Sequence, residues 1–275
     1  MITQIKLADD LKNLGLKQGN IVYVHTSLKN IGPIQGGAIT LIEALMDVLG
    51  PEGTFAVPTH TLCLENSDLG PAPFNKSSTS CKRIVGTFPD IVWQYPGAKR
   101  SGHGSHSSAA IGMLADYLTK DHDPCDAFGT VSPIRKLYDL GGKVLLLGVG
   151  HASNTIIHLA EQLAKMPYIK LRYVDEWGDH TVVEDDGGNI SRYKQVSFGG
   201  CSARFDIADQ LLGDKITRAK VGDANCALMN ARELVDATIK ALQADSYLLL
   251  CNNSWCKCCF RRRALLQELG IAAPT

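Results

Sequence analysis

The 275-residue chain is predicted to adopt an α/β fold, and three features carry the prediction. β-Rich runs alternate with stretches of helical periodicity through Leu147, strand-like runs separated by strong turn signals crowd residues 169–198, and no internal repeat or Pro/Ser-rich linker divides the chain. One domain over residues 1–275 is expected, with a Cys/Arg-rich tail and helix at 251–275 packed on it.

Ile5, Leu7, Ala8, Leu11 and Leu14 fall at helical spacing, and glycines at 15 and 19 bracket the exit into the β-rich run 21–25. A second helix follows Gly36-Gly37 and closes at Gly50-Pro51, giving way to a strand at 54–58. Strand, helix, strand in about forty residues predicts a crossover unit. Residues 59–83 are rich in Ser, Asn, Pro and Gly, so a long loop near the functional site is expected there. Helical patterns return at 85–95, 110–119 and 131–139 and lead into a buried strand at 143–147. IKLRYV, HTVVE and ISRYKQVSF are then separated by turn signals at 177–179 and 185–189, which predicts an antiparallel meander around 169–198. A helix at 227–243, a short strand at 247–250 and a last helix at 261–269 complete the reading.

Lys plus Arg and Asp plus Glu each number 28, so no global field draws this chain to nucleic acid or to an anionic membrane. The N-terminal segment lacks the apolar core of a signal peptide, and no apolar run approaches the roughly 18 residues of a spanning helix. A cytoplasmic protein without nucleic-acid or membrane partners is expected. Nine cysteines, an odd number in a chain of this size, read as reduced thiols rather than a disulfide framework.

The stretch LLLGVGHASNTIIHLAEQL (145–163) carries the chemistry. Its glycines resemble a dinucleotide-binding turn, with Asp175 and Glu176 at the distance of a ribose-binding acid, but Ser153 stands where that turn needs a third glycine. A helix from Ser153 would put Thr155, His158 and Glu161 on one face, where a carboxylate fixes the imidazole tautomer of a general base. A surface His–Glu pair, and a metal site of His151, His158 and Glu161, are the competing readings. Exposed backbone N–H groups and hydroxyls at Ser27, Leu28, Gly32, Gly36 and Gly37 suit phosphate binding, although turn glycines and caps would look the same.

Three ordered blocks resemble the aminoglycoside 3-N-acetyltransferase family: VHTSLKNIGPIQGGAITLIEALMDVLGPEGTFAVPTHT (24–61), RSGHGSHSSAAIG (100–112) and SPIRKLYDLGGKVLLLGVGHASNTIIHLAE (132–161). The resemblance implies a three-layer α/β/α sandwich with a mixed central sheet and direct transfer of acetyl from acetyl-CoA to an amine, with no metal required. It implies His158 as general base and Glu161 as its orienting partner; Thr155, one turn before His158, is the candidate oxyanion donor. Ser27, Leu28, Ile31, Gly32, Gly36, Gly37, Ser101, His106 and Ser107 are its candidates for coenzyme A, with the 3-amino group of an aminoglycoside as acceptor. A non-antibiotic amine and a catalytically silent coenzyme-A-binding protein are the alternatives, and a homodimer is an allowed assembly.

The middle block carries Gly104 where the family has proline, which predicts a more flexible turn. A polycationic acceptor requires local acid, for which Asp175, Glu176, Asp179 and Asp206 are the candidates. In the tail CNNSWCKCCFRRR (251–263), Cys251, Cys256, Cys258 and Cys259 read either as four metal-binding thiolates or as plain reduced thiols. Arg261-Arg262-Arg263 reads as a solvated helix start, with a patch for coenzyme phosphate as the alternative.

Overall fold

The computed structural model describes residues 1–70, 72–172 and 175–273, without the Asp175 side chain. Its strands are β1 (Ile21–Thr26), β2 (Thr54–Pro58), β3 (Lys99–Arg100), β4 (Ser108–Gly112), β5 (Lys143–Leu147), β6 (His180–Glu184), β7 (Ile190–Lys194), β8 (Thr217–Val221) and β9 (Ala224–Asn230). Its helices are α1 (Gln4–Asn13), α2 (Leu28–Ile31), α3 (Ala38–Leu49), α4 (Lys82–Val85), α5 (Thr87–Val92), α6 (Ala115–Thr119), α7 (Pro133–Asp139), α8 (Ile156–Leu163), α9 (Ile207–Leu212), α10 (Ala231–Ala244) and α11 (Lys257–Glu268).

Seven strands form a mixed sheet in the order β3-β4-β2-β1-β5-β9-β8. The central β1 pairs in parallel with β2 and β5, and every pairing outward from those two is antiparallel. Alternation along the buried strands sends side chains to two cores. Val22, Val24, Phe55, Val57, Leu145 and Leu147 meet α1, α3 and α5, while Tyr23, Ala56, Val144 and Leu146 meet α6, α7, α8 and α10. Helix, sheet and helix form the expected three layers.

Four expectations change. Residues 110–112 are strand rather than helix, because Ser108–Gly112 fills the ladder between β2 and β3. Residues 227–230 are strand as well: β9 runs directly into α10, whose start is fixed by Asn230 accepting from the N–H groups of Arg232 and Glu233 at 2.9 and 3.1 Å. Residues 247–250 form a turn. Of the expected meander, β6 and β7 form a hairpin, Pro167–Lys170 is a 3₁₀ turn, and residues 173–174 lie outside the description. The hairpin bridges to the long loop, Leu64 to Thr181 and Phe74 to Val183, so it sits over the loop that the sequence assigned to the functional site.

Leu145, fully buried on β5 between β1 and β9, tests the sheet's core. Leu145→Ala is expected to cost about 3 kcal/mol through the cavity it leaves. Urea unfolding should show a lower midpoint with an unchanged slope.

Candidate active site

The site starts where β5 ends. Gly148 has φ +67°, and a Cβ there would stand 3.0 Å from the Asn30 Cβ and 3.1 Å from the Ala224 Cβ, so glycine is required for this reversal. Asn30 Nδ2 secures it by donating to the Gly148 carbonyl at 2.7 Å. Gly150 is extended, at φ −95°, and imposes no such requirement. A 3₁₀ turn at His151–Ser153 intervenes before α8, so Thr155 rather than Ser153 stands at the helix start, and His158 and Glu161 share the face of α8 that turns inward. Both are buried, which removes the surface-pair reading. His151 points instead to Asp209, with Nε2 2.9 Å from Oδ1, so His151, His158 and Glu161 do not assemble as metal ligands.

His158 Nδ1 lies 2.5 Å from Glu161 Oε2. The other carboxylate oxygen accepts from Arg262 Nη1 at 3.1 Å, and Arg262, only 1% exposed, also donates to the Phe198 carbonyl at 3.3 Å and lies over the Tyr168 ring. The middle arginine of the tail is thus a buried partner of the carboxylate, not part of a solvated helix start. Burial opposes the charge on Glu161, but the His158 hydrogen bond and the Arg262 guanidinium outweigh it and hold the carboxyl below its ordinary value. With a carboxylate on Nδ1, that nitrogen carries the proton of the neutral ring, and Nε2 is left with its lone pair free to accept.

His158 Nε2 faces Gly199. A Cβ at this glycine would stand 3.4 Å from His158 Nε2 and 3.3 Å from His106 Nε2, so the two imidazole nitrogens converge on one strip of backbone. A Cβ on the next residue, Gly200, would fall 2.4 Å from the Arg262 guanidinium carbon. The Phe128 and Phe205 rings flank the His158 ring at 5.5 and 4.9 Å.

His106 is aimed by its own loop. His103 Nδ1 accepts from the backbone N–H groups of Ser105 and His106 at 3.2 and 3.1 Å, and Ser105 Oγ lies 2.8 Å from His106 Nδ1. Burial pushes His106 down to about 3 and His103 well below its ordinary value, so both are neutral at pH 7. Gly104 is not the flexible turn expected. A Cβ there would meet the Thr181 Cβ at 2.8 Å, so the residue permits close packing of the β6–β7 hairpin. Ser101 and Ser107 are buried and line neither cavity described below. Ser101 Oγ accepts from Ser108 N and lies 3.0 Å from His122 Nδ1, while Ser107 Oγ donates to the Thr59 carbonyl at 2.7 Å.

A cavity of about 420 Å³ opens at His158 and His106, lined also by Leu62, Leu64 and Leu69 of the long loop, by Arg83 of α4, and by Arg172, Trp177 and the 197–200 segment. A second, of about 310 Å³, lies against Thr155, His25, Thr26 and His60. Ile84 borders both, and the His60 and His106 rings are 4.8 Å apart, so the two cavities adjoin. Burial lowers His25 to about 3, and its Nε2 has no hydrogen-bond partner among the described residues.

The other predicted residues are dispersed. Ser27 caps α2 and accepts from the Asn30 N–H at 3.4 Å, Leu28 begins that helix, and Ile31, its last residue, is buried. Gly32, Gly36 and Gly37 all have positive φ, and Gly36 borders a separate open groove with Gln4 and Asp47. Glu176 is exposed beside Trp177; Asp206 lines another depression with Asp209 and Arg218, away from His158; and the Asp175 side chain lies outside the description. Sequence reasoning missed Arg262, His60, His25 and Gly199-Gly200. Arg262 lies 101 residues from Glu161, beyond the reach of any local spacing rule.

A profile of the aminoglycoside 3-N-acetyltransferase family matches residues 23–243. The chain belongs to this family. The aminoglycoside N(3)-acetyltransferase IV of a Salmonella species is 34% identical over 247 residues, covering 89% of this chain and 89% of that one. Among solved structures, apo aminoglycoside acetyltransferase AAC(3)-IVa aligns with a TM-score of 0.81 at 31% identity, covering 95% of this chain and 96% of that one. A histidine-to-alanine variant of that enzyme in complex with a gentamicin aligns at 0.80, also at 31% identity, covering 95% and 96%. AAC-IIIb, crystallised as a binary complex with CoASH, aligns at 0.77 and 26% identity, covering 88% and 96%. As a member of the aminoglycoside 3-N-acetyltransferase family, this chain is an acetyl-CoA-dependent N-acetyltransferase. None of its helices, among the described residues, is long and apolar enough to cross a membrane.

Removing the cation tests the buried pair. Arg262→Met leaves the Glu161 charge buried without its partner and is expected to destabilise the enzyme by about 3–5 kcal/mol at pH 7. Because the folded-state carboxyl is held below its ordinary value of 4.5, its stabilising contribution is present above that pH and fades as pH falls further. Thermal unfolding across pH should show a shallower acid limb in the variant than in the parent.

Proposed function

We propose that the enzyme transfers the acetyl group of acetyl-CoA to an amino group of an aminoglycoside, the 3-amino group by family precedent, with His158 Nε2 as general base. The relay Arg262–Glu161–His158, ending in the larger cavity, carries the proposal. An amine is mostly ammonium at neutral pH and attacks a thioester only after losing a proton. That first proton goes to solvent; as the neutral amine attacks, His158 Nε2 takes a second proton from it while Glu161 stabilises the imidazolium that forms. The same nitrogen returns the proton to the departing thiolate, so no cysteine acts as a nucleophile.

The two cavities suit a ternary complex. The smaller offers Thr26, Thr155 and the unpartnered His25 Nε2 to the amide groups of a pantetheine arm, and it leads from the β1 end, where Ser27 to Gly37 supply backbone for the phosphates. Thr155 stands one turn before His158 and donates to the developing oxyanion, and His106 Nε2 lies near enough to share that role. The larger cavity receives the acceptor. Glu65 and Asp68 supply carboxylates at its rim: Gly178 packs against Glu65, and Trp177 Nε1 donates to Asp68 at 3.1 Å. Exposed Glu176 adds a third charge beside them.

A second reading rests on Arg83 and Arg172. Among the described residues they are the charged groups lining the larger cavity, which favours an acceptor with fewer positive charges. An acceptor panel separates the readings: thiol release from acetyl-CoA with kanamycin- or gentamicin-like amines, and none with simple monoamines, supports the first, and the reverse supports the second.

His158→Ala is expected to lower kcat by about 10²–10⁴-fold while coenzyme A binding by calorimetry is retained. Full activity in this variant would remove the proposed mechanism. Asp68→Asn should raise KM for a polycationic acceptor several-fold at low ionic strength and leave KM for acetyl-CoA unchanged.

A further inference from the structure

The tail cysteines are the part of the sequence that acetyl transfer does not use. The Sγ atoms of Cys201, Cys251, Cys256 and Cys259 all lie within 4.8 Å of one another, and all four thiols are free. The set differs from the one expected from sequence, because Cys201 joins from 50 residues upstream of Cys251 while Cys258 stays outside. Within it, Cys256 and Cys259 are a CxxC pair at the start of α11, the spacing by which two thiolates commonly grip one tetrahedral ion.

We propose that these four cysteines form a structural zinc site that fastens the 198–201 segment to α11. A zinc ion at about 2.3 Å from each sulfur of a tetrahedron separates the sulfurs by about 3.8 Å. Cys201 Sγ and Cys251 Sγ stand 3.8 Å apart. Each thiol that binds gives up its proton to solvent, with no oxidant or reductant involved. The surroundings suit a thiolate cluster of net negative charge. The Cys251 N–H donates to Cys259 Sγ at 3.4 Å, and Arg263 Nη2 donates to the Cys251 carbonyl at 2.9 Å. Such a site joins two pieces of the active site: the loop whose Gly199 faces His158 precedes Cys201, and Arg262 lies one turn beyond Cys259. Four closed thiolate ligands leave no open position, so the ion is structural rather than catalytic.

The test uses untagged full-length protein from zinc-replete medium. Metal analysis should give about one zinc per chain. Exchange with cobalt should give the visible bands of a tetrahedral thiolate site, and chelation should lower the unfolding temperature, restored by zinc. Cys258→Ser should keep full stoichiometry, whereas Cys256→Ser combined with Cys259→Ser should bind at least tenfold less. Zinc below one tenth per chain, a cobalt spectrum without thiolate bands, or a disulfide found by thiol titration under denaturing conditions overturns the proposal. These wild-type measurements decide it even if the double variant does not fold, and none depends on acetyl transfer.

Discussion

The buried contact between Arg262 and Glu161 is the constraint on which the site depends. A carboxylate withdrawn this completely from water would tend to take up a proton unless a cation compensates it. Arg262 supplies the cation at 3.1 Å and keeps Glu161 ionised, and the ionised carboxylate sets the tautomer of His158. The C-terminal helix therefore reaches the buried His158–Glu161 pair through Arg262. Gly200 is glycine because the guanidinium occupies the space a side chain would take, and the Phe198 carbonyl caps the same group. Three separated segments converge on one arginine.

Close backbone approach is the second theme. Gly148 lets β5 reverse toward α8, Gly104 lets the hairpin press on the middle loop, and Gly199 lets the chain pass beside two imidazole nitrogens. Only the first needs an unusual dihedral; at the other two a side chain would fill the gap on which the packing depends. The neutral histidines around the cavities follow from the same enclosure, since burial disfavours a charged ring.

The parts of this fold that rest on local pattern were legible in the sequence. The strands at 21–25, 54–58 and 143–147 stood out because they are buried on both faces, and the His158–Glu161 pair because three residues on a helix bring side chains together. The antiparallel strands were harder. ALMNARELV (227–235) reads continuously as helix, and pairing with β5 draws its first four residues into the sheet. Gly104 was misread because its partner, Thr181, is remote in sequence. Arg262 was read as solvated for a related reason: nothing in a run of three arginines says which one faces inward. The CxxC spacing of Cys256 and Cys259 was present but masked by Cys258 between them.

The 101 residues that separate Glu161 from Arg262 also set an order in time. At about 5–20 residues per second, a ribosome adds Arg262 roughly 5–20 s after Glu161. Throughout that interval the emerging chain holds a carboxylate whose partner has not yet been made, so the pocket around His158 cannot close in its final electrostatic form. Assembly of the buried Arg262–Glu161 pair is thereby delayed until the last strand of the sheet, β9, has been synthesised.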